Sequence, residues 1–80
     1  MRNIVRTISK RQLYEMPSGR KAYVLRCSYK NQEVLMTYLG STELERQEGS
    51  MYMSPKNVHR CCKYMGEVEF RDGDVHEADD

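Results

Sequence analysis

Three cysteines and one histidine are the side chains of this sequence best suited to hold a metal ion. Cys61 and Cys62 are adjacent, His59 lies just before them, and Cys27 is far away in the chain. Zinc sites usually draw on pairs of ligands spaced roughly two to four residues apart. Adjacent residues of a helix diverge by about a third of a turn, so neighbouring cysteines do not both face one ion. We therefore predict buried structural thiols, no metal site and no cofactor.

A cysteine nucleophile activated by a histidine is the other chemistry that these residues offer. His59 lies three positions before Cys62, a spacing at which helical side chains touch, and Cys61 is the second possible nucleophile. The sequence supplies no third group to orient the histidine, no glycine-rich phosphate loop and no strand–turn nucleophile motif. We predict that the protein is not an enzyme.

Charge is segregated along the chain although the formal net charge is only +1. Residues 1–30 carry eight Lys or Arg against the single acid Glu15, an excess of +7. Residues 31–50 sum to −3, residues 51–66 to +3, and residues 67–80 to −6. The chain therefore has a basic body and an acidic end, which serves either as a solubility device or as a contact for a basic partner.

The basic segment interleaves cations with tyrosines, and we prefer a protein as its partner. Arg and Tyr are enriched among the residues that dominate protein interfaces. Two alternatives remain open: a solvated face whose tyrosines belong to the core, and a site for single-stranded nucleic acid in the basic N-terminal half. An acidic tail nearby would lower the positive potential that nucleic acid needs. The predicted partner-binding residues are Arg2, Arg6, Lys10, Arg11 and Tyr14.

Length and composition predict a single small domain. Eighty residues give a thin core, and we expect a globular unit over residues 1–70 and an acidic, disordered tail over residues 71–80. No apolar run approaches the roughly 18 residues of a membrane span. The start lacks the apolar segment of a signal peptide, and three cysteines are an odd number, so we expect reduced thiols in the cytoplasm.

Residues 23–39 predict the hairpin around which the core is built. Strand residues alternate between faces, which predicts an apolar row on the odd positions of the first strand, from Tyr23 to Tyr29. A two-residue turn at residues 30–31 sets the register, and a four-residue loop shifts it by two without exchanging the faces. The predicted pairs are Cys27 with Val34, Leu25 with Met36, and Tyr23 with Tyr38.

Residues on either side of the hairpin supply further strands. Residues 4–9 are rich in β-branched side chains and predict one strand, and residues 12–16 predict a second. A turn over Met16–Gly19 folds the second strand onto the hairpin, which places Leu13 beside Tyr23 and Glu15 beside Lys21. Residues 51–53 and 67–70 predict two more short strands.

A pattern of Thr42 followed by Glu45 is a capping box, and it predicts either one turn of helix or a mobile loop before Gly49. The stronger helix signal starts at Ser54, with proline next and Gly66 beyond the end. Its apolar positions recur with helical spacing at Val58, Cys61, Cys62 and Met65. The predicted fold class is α+β: a small antiparallel β-meander of three to five strands with one short C-terminal helix.

A basic β-rich start, reduced cysteines and an acidic end together give the chain its general character. The start is Arg2-Asn3-Ile4-Val5-Arg6-Thr7-Ile8, and the end includes Asp72-Gly73-Asp74-Val75-His76-Glu77. In this character the chain resembles small phage-encoded host-takeover proteins, some of which bind and inhibit bacterial RNA polymerase. The resemblance implies a transcription modulator in the host cell cytoplasm, and it carries no residue of its own onto this sequence.

Overall fold

A computed structural model of the chain describes residues 7–71 and 73–78 as one antiparallel sheet with two short helices. The six strands lie in the order β4-β3-β2-β1-β5-β6. The predicted α+β fold of three to five strands and a single helix is therefore wrong. With six strands and two short helices, the fold is mostly β. The elements are β1 Gln12–Glu15, β2 Lys21–Ser28, β3 Glu33–Tyr38, α1 Glu43–Glu48, β4 Met51–Met53, α2 Pro55–Cys61, β5 Lys63–Arg71 and β6 Asp74–Glu77.

The turn between β1 and β2 folds as its residue types predict. Leu13 pairs with Tyr23 and Glu15 with Lys21, which confirms the predicted register. Gly19 has φ +92°, a conformation that glycine adopts without steric cost. Among residues 7–9, the part of the predicted first strand that the structure describes, none is in a strand.

A β-bulge changes the register of the central hairpin. The pair Cys27–Val34 forms as predicted, but the ladder shifts at Leu25, so that Met36 lies opposite Val24 and Tyr38 opposite Ala22. The extra residue rotates the strand by one position, and every residue before it moves to the opposite face. The predicted pairs of Leu25 with Met36 and Tyr23 with Tyr38 are wrong for this reason.

Helix α2 begins where its cap predicts and ends earlier than its period predicts. The Ser54 hydroxyl accepts a hydrogen bond from the Asn57 amide at 3.2 Å, and proline occupies the first turn. Cys62 is already extended, with φ −112° and ψ 146°, and Tyr64 pairs with Tyr14 in the sheet. Pairing with β1 overrides the helical spacing, so the prediction that Met65 belongs to this helix is wrong.

The capping box at Thr42 forms in full and confirms a short helix, α1. The acidic end differs from the expected disordered tail, because Asp74–Glu77 forms β6 and pairs with β5. Val75 explains this difference, since it is buried opposite Phe70 and its apolar side chain stabilises the hairpin. Residues 72, 79 and 80 lie outside the described residues.

The sheet buries residues on both faces. One face packs against Val58 of α2, and we call it the α2 face. The other packs against residues of the β5–β6 hairpin, and we call it the hairpin face. The buried residues of the α2 face are Ile8, Tyr14, Met16, Ala22, Val24, Val34, Met36 and Val58. Those of the hairpin face include Leu13, Tyr23, Val68 and Val75.

The sheet curls toward its hairpin face. In the strand order β6 lies three positions from β2, a separation of roughly 14 Å in a flat sheet. Glu77 of β6 nevertheless accepts two hydrogen bonds from the Lys21 ammonium of β2, at 3.0 and 3.1 Å. The β5–β6 hairpin therefore folds back over Leu13 and Tyr23.

In the part of the chain that the structure describes, no helix has the length and apolar character needed to cross a membrane.

Candidate functional site

The structure separates the predicted partner-binding residues. Arg2 and Arg6 lie outside the described residues, and Lys10 and Arg11 are exposed. Tyr14 is only 2% exposed, and its hydroxyl donates to the Gln12 side-chain oxygen at 2.8 Å. Tyr14 is thus a core residue of the α2 face, not the exposed contact that the sequence pattern suggested.

Arg11 occupies a strained backbone position between two strands. Its φ is +76°, a region that side chains other than glycine rarely adopt. The Arg11 amide donates to the Val24 carbonyl, and its carbonyl accepts from the Val68 amide, both at 2.9 Å. Through these two hydrogen bonds, Arg11 connects β2 with β5 just before β1 begins. A strained residue of this kind costs about 1–3 kcal/mol and is common at functional sites.

The Arg11 guanidinium lies over the ring of Phe70, 5.0 Å from its centroid. Phe70 is 48% exposed, and its ring also meets the Tyr23 ring edge-on at 6.2 Å between centroids. A buried tyrosine therefore orients an exposed phenylalanine, and a cation stacks on that ring. We call this pair the Arg11–Phe70 site.

Phe70 is the residue that the sequence prediction missed. It is the only phenylalanine of the chain and stands in an alternating run, two positions from Val68. That alternation predicted a strand, and it also places Phe70 on the same face as the buried Val68. Phe70 lies where β5 extends past the start of β1, beyond the pair of Gln12 with Glu67.

A shallow cavity of about 240 Å³ lies further along the sheet, beside the tip of the β2–β3 hairpin. Arg26, Leu35 and Tyr52 follow one another across three neighbouring strands and form one wall of it. Tyr52 is 59% exposed. The lining residues are Arg26, Cys27, Ser28, Asn31, Glu33, Leu35 and Tyr52.

The Cys27 and Cys62 thiols are half-buried, whereas Cys61 is exposed, so the prediction of buried thiols is wrong for Cys61. Burial raises the pKa of Cys27, and burial followed by the neighbouring Cys61 raises the pKa of Cys62. Raised pKa values keep these two thiols protonated at neutral pH, and the protonated form is not the nucleophile. The Cys62 thiol contacts the Met16 sulfur at 3.5 Å. Within residues 7–71 and 73–78, no three His, Cys, Asp or Glu side chains converge on a common point.

The cations of the N-terminal half lie on different sides of the molecule. Arg20 stacks on the Tyr38 ring at 3.6 Å, next to the core of the α2 face. Lys21 pairs with Glu77 at the hairpin face, and Arg26 lines the cavity. Arg20 and Lys21 therefore lie on opposite faces of the sheet. No family model matches the chain, and no curated protein and no solved structure is similar to it.

Proposed function

We propose that this protein is a non-enzymatic protein-binding domain and that the Arg11–Phe70 site is the centre of its interface. The exposed aromatic ring stacked under a strained arginine is the observation that carries this proposal. Aromatic and arginine side chains are enriched among the few residues that dominate interface affinity. A ring already ordered by Tyr23 loses little side-chain entropy on binding, which favours affinity.

The surroundings of the site suit a protein partner. Leu25 is half-buried and packs against the cluster that contains Tyr23, and the Phe70 ring contacts Tyr23 of the same cluster. The ion pair between Lys21 and Glu77, at 3.0 Å, adds a charged margin on the hairpin face. An apolar centre with a polar margin is the usual composition of protein interfaces.

Bacterial RNA polymerase is the partner to test first, and the expected effect is an alteration of transcription. What supports this choice is the resemblance of the sequence to small phage-encoded host-takeover proteins. The protein would act by covering a surface of the polymerase, because a domain of 80 residues without a catalytic set has no other evident means.

The test is the affinity of the immobilised protein for purified bacterial RNA polymerase, measured by biolayer interferometry. Phe70→Ala should weaken binding by about 30-fold, the equivalent of a 2 kcal/mol hot spot. Arg11→Gly should also weaken it without destabilising the fold, because glycine accepts φ +76° without strain.

Leu44→Ala is the matched control, since Leu44 is a large apolar side chain that is 63% exposed on α1, outside the Arg11–Phe70 site. It should leave binding unchanged. Equal binding of wild type, Phe70→Ala and Arg11→Gly would refute the site. Absence of any binding to the polymerase would refute the named partner.

A further inference from the structure

Helix α2 presents a ridge of two cations directly opposite its buried side. Val58 points into the core of the α2 face and is fully buried. Residues two positions apart on a helix diverge by about 200°, so Lys56 and Arg60 both point away from Val58. They are exposed and one turn apart, with a rise of about 6 Å between them. We call this pair the α2 ridge.

No acidic side chain neutralises the ridge from its own segment. The sequence has no Asp or Glu between Glu48 and Glu67. Among the described residues, the two ion pairs are those of Lys21 with Glu77 and Arg71 with Glu69, so neither ridge cation is paired there. Unpaired cations on one helix face create a local positive potential that attracts anions.

Arg20 adds a third cation on the same side of the sheet. The Cys62 thiol at the end of α2 touches Met16, and the Met16 amide donates to the Arg20 carbonyl at 2.7 Å. The Arg20 guanidinium is ordered by its stacking on Tyr38, which also packs against the α2-face core. Arg20 therefore lies on the same side of the sheet as α2.

The composition of α2 distinguishes the kind of polyanion. Its apolar residues Pro55 and Val58 are buried, so no aromatic or aliphatic side chain of the helix is exposed. The core of a protein interface is typically apolar, whereas contacts to a nucleic-acid backbone are made by cations and polar donors. Asn57 and the half-exposed His59 flank the ridge and supply such donors.

We propose that the α2 ridge binds the phosphate backbone of nucleic acid without reading its sequence. This activity goes beyond the proposed protein-binding function and uses the other face of the sheet. It would let the domain contact a protein through the Arg11–Phe70 site and a nucleic acid through α2 at the same time.

The test is fluorescence anisotropy of a labelled mixed-sequence single-stranded oligonucleotide, titrated with the protein between about 0.05 and 0.2 M salt. Each phosphate contact adds about 0.7 to the slope of log K against log salt for a single strand. The double variant K56Q/R60Q should therefore lose about 1.4 of the slope and bind at least about tenfold more weakly at the lowest salt. Phe70→Ala, which changes no charge, should bind the oligonucleotide like wild type, which separates this proposal from the previous one.

A charge-compensated variant distinguishes a local site from net charge. K56Q/R60Q takes the net charge from +1 to −1, and adding E43Q/E48Q on α1 returns it to +1. If the ridge is the site, the fourfold variant should bind as weakly as K56Q/R60Q. Circular dichroism should show unchanged thermal midpoints, because all four side chains are exposed.

Three results would overturn the proposal. The first is no binding by wild type at 0.05 M salt. The second is recovery of wild-type affinity in the charge-compensated variant. The third is equal affinity for poly-glutamate with the same loss in K56Q/R60Q, which would assign the ridge to an acidic protein segment.

Discussion

The two faces of the sheet are covered by different kinds of element, and the difference appears on the surface. On the α2 face a helix buries its apolar side on the strands and presents Lys56 and Arg60 outward. On the hairpin face the sheet curls over itself and leaves Phe70 partly exposed at its rim. A helix needs only one apolar side to cover a sheet, whereas a folded-back hairpin has rims where apolar side chains meet solvent.

Two buried tyrosines, one on each face, also differ in how their hydroxyl groups are hydrogen-bonded. The Tyr14 hydroxyl on the α2 face is bonded to Gln12, which in turn bonds the Thr7 carbonyl and the Ser9 amide. The Tyr23 hydroxyl on the hairpin face is buried and has no hydrogen-bond partner within the described part of the chain. One face therefore satisfies its buried polar groups, and the other buries one at a cost.

The largest expected effect comes from truncating each core. Met36→Ala should destabilise the protein by about 2–5 kcal/mol, because Met36 is fully buried on the α2 face. Leu13→Ala on the hairpin face should fall at the lower end of that range, since the β5–β6 hairpin can relax onto the vacated space. Urea unfolding of both variants measures the two losses, and a larger loss for Leu13→Ala would reverse the comparison.

Gly49→Ala should cost about 2–4 kcal/mol. Gly49 ends α1 with φ 83° and ψ 160°, a region essentially restricted to glycine. An added methyl group would also overlap the buried Leu35 side chain on the hairpin face. Gly19→Ala is the control, because its φ is +92° but no atom lies near the added carbon. Equal losses measured by urea unfolding would show that the overlap with Leu35 is harmless.

The paired substitutions Tyr23→Phe and Tyr14→Phe should have opposite signs. Tyr23→Phe removes an unsatisfied hydroxyl and should stabilise by about 1 kcal/mol, whereas Tyr14→Phe breaks a buried bond and should destabilise by about 1 kcal/mol. Thermal or urea unfolding at neutral pH compares them. Destabilisation by Tyr23→Phe would show that its hydroxyl is satisfied in solution.

Alkaline pH sharpens the same comparison. Burial raises the pKa of Tyr23, with Arg46 opposing and Asp74 reinforcing the shift. The folded state thus resists deprotonation, and wild-type stability should fall as pH rises through and above the ordinary tyrosine pKa near 10. Tyr23→Phe should remove the part of the stability loss at alkaline pH that is due to this hydroxyl. An unchanged alkaline profile would assign the loss to other groups.

The smallest effect is expected at the capping box of α1. The hydrogen bonds from Thr42 hold the pKa of Glu45 below its ordinary value. A lowered pKa contributes stability that is present above the ordinary glutamate pKa and is lost as pH falls through the folded-state pKa. The protection factors of the α1 amides, which compare each exchange rate with the intrinsic rate at the same pH, should therefore fall below about pH 4, near the ordinary glutamate pKa. Glu45→Gln should weaken this dependence, and an unchanged profile would exclude the carboxylate as its source.

Short-range chemistry made part of the fold predictable. Both N-caps, the turn after Met16 and the register of β1 on β2 follow from residue types within a few positions of each other. One of the two residues of the candidate site was predicted, since Arg11 was chosen from the sequence for its charge and residue type. Phe70 was missed because its contact with Arg11 joins residues 59 positions apart, and no local pattern encodes such a distance.

The sequence by itself determined the caps, the turns, the strand character of the central hairpin and the acid-free segment that carries α2. Only the tertiary structure decided that residues 63–65 pair with β1 instead of extending α2, and that the chain bulges at Leu25. It also decided that Asp74–Glu77 folds onto the sheet as a strand. Local hydrogen bonds compete over a few residues, whereas strand pairing and burial depend on partners brought together by the whole fold.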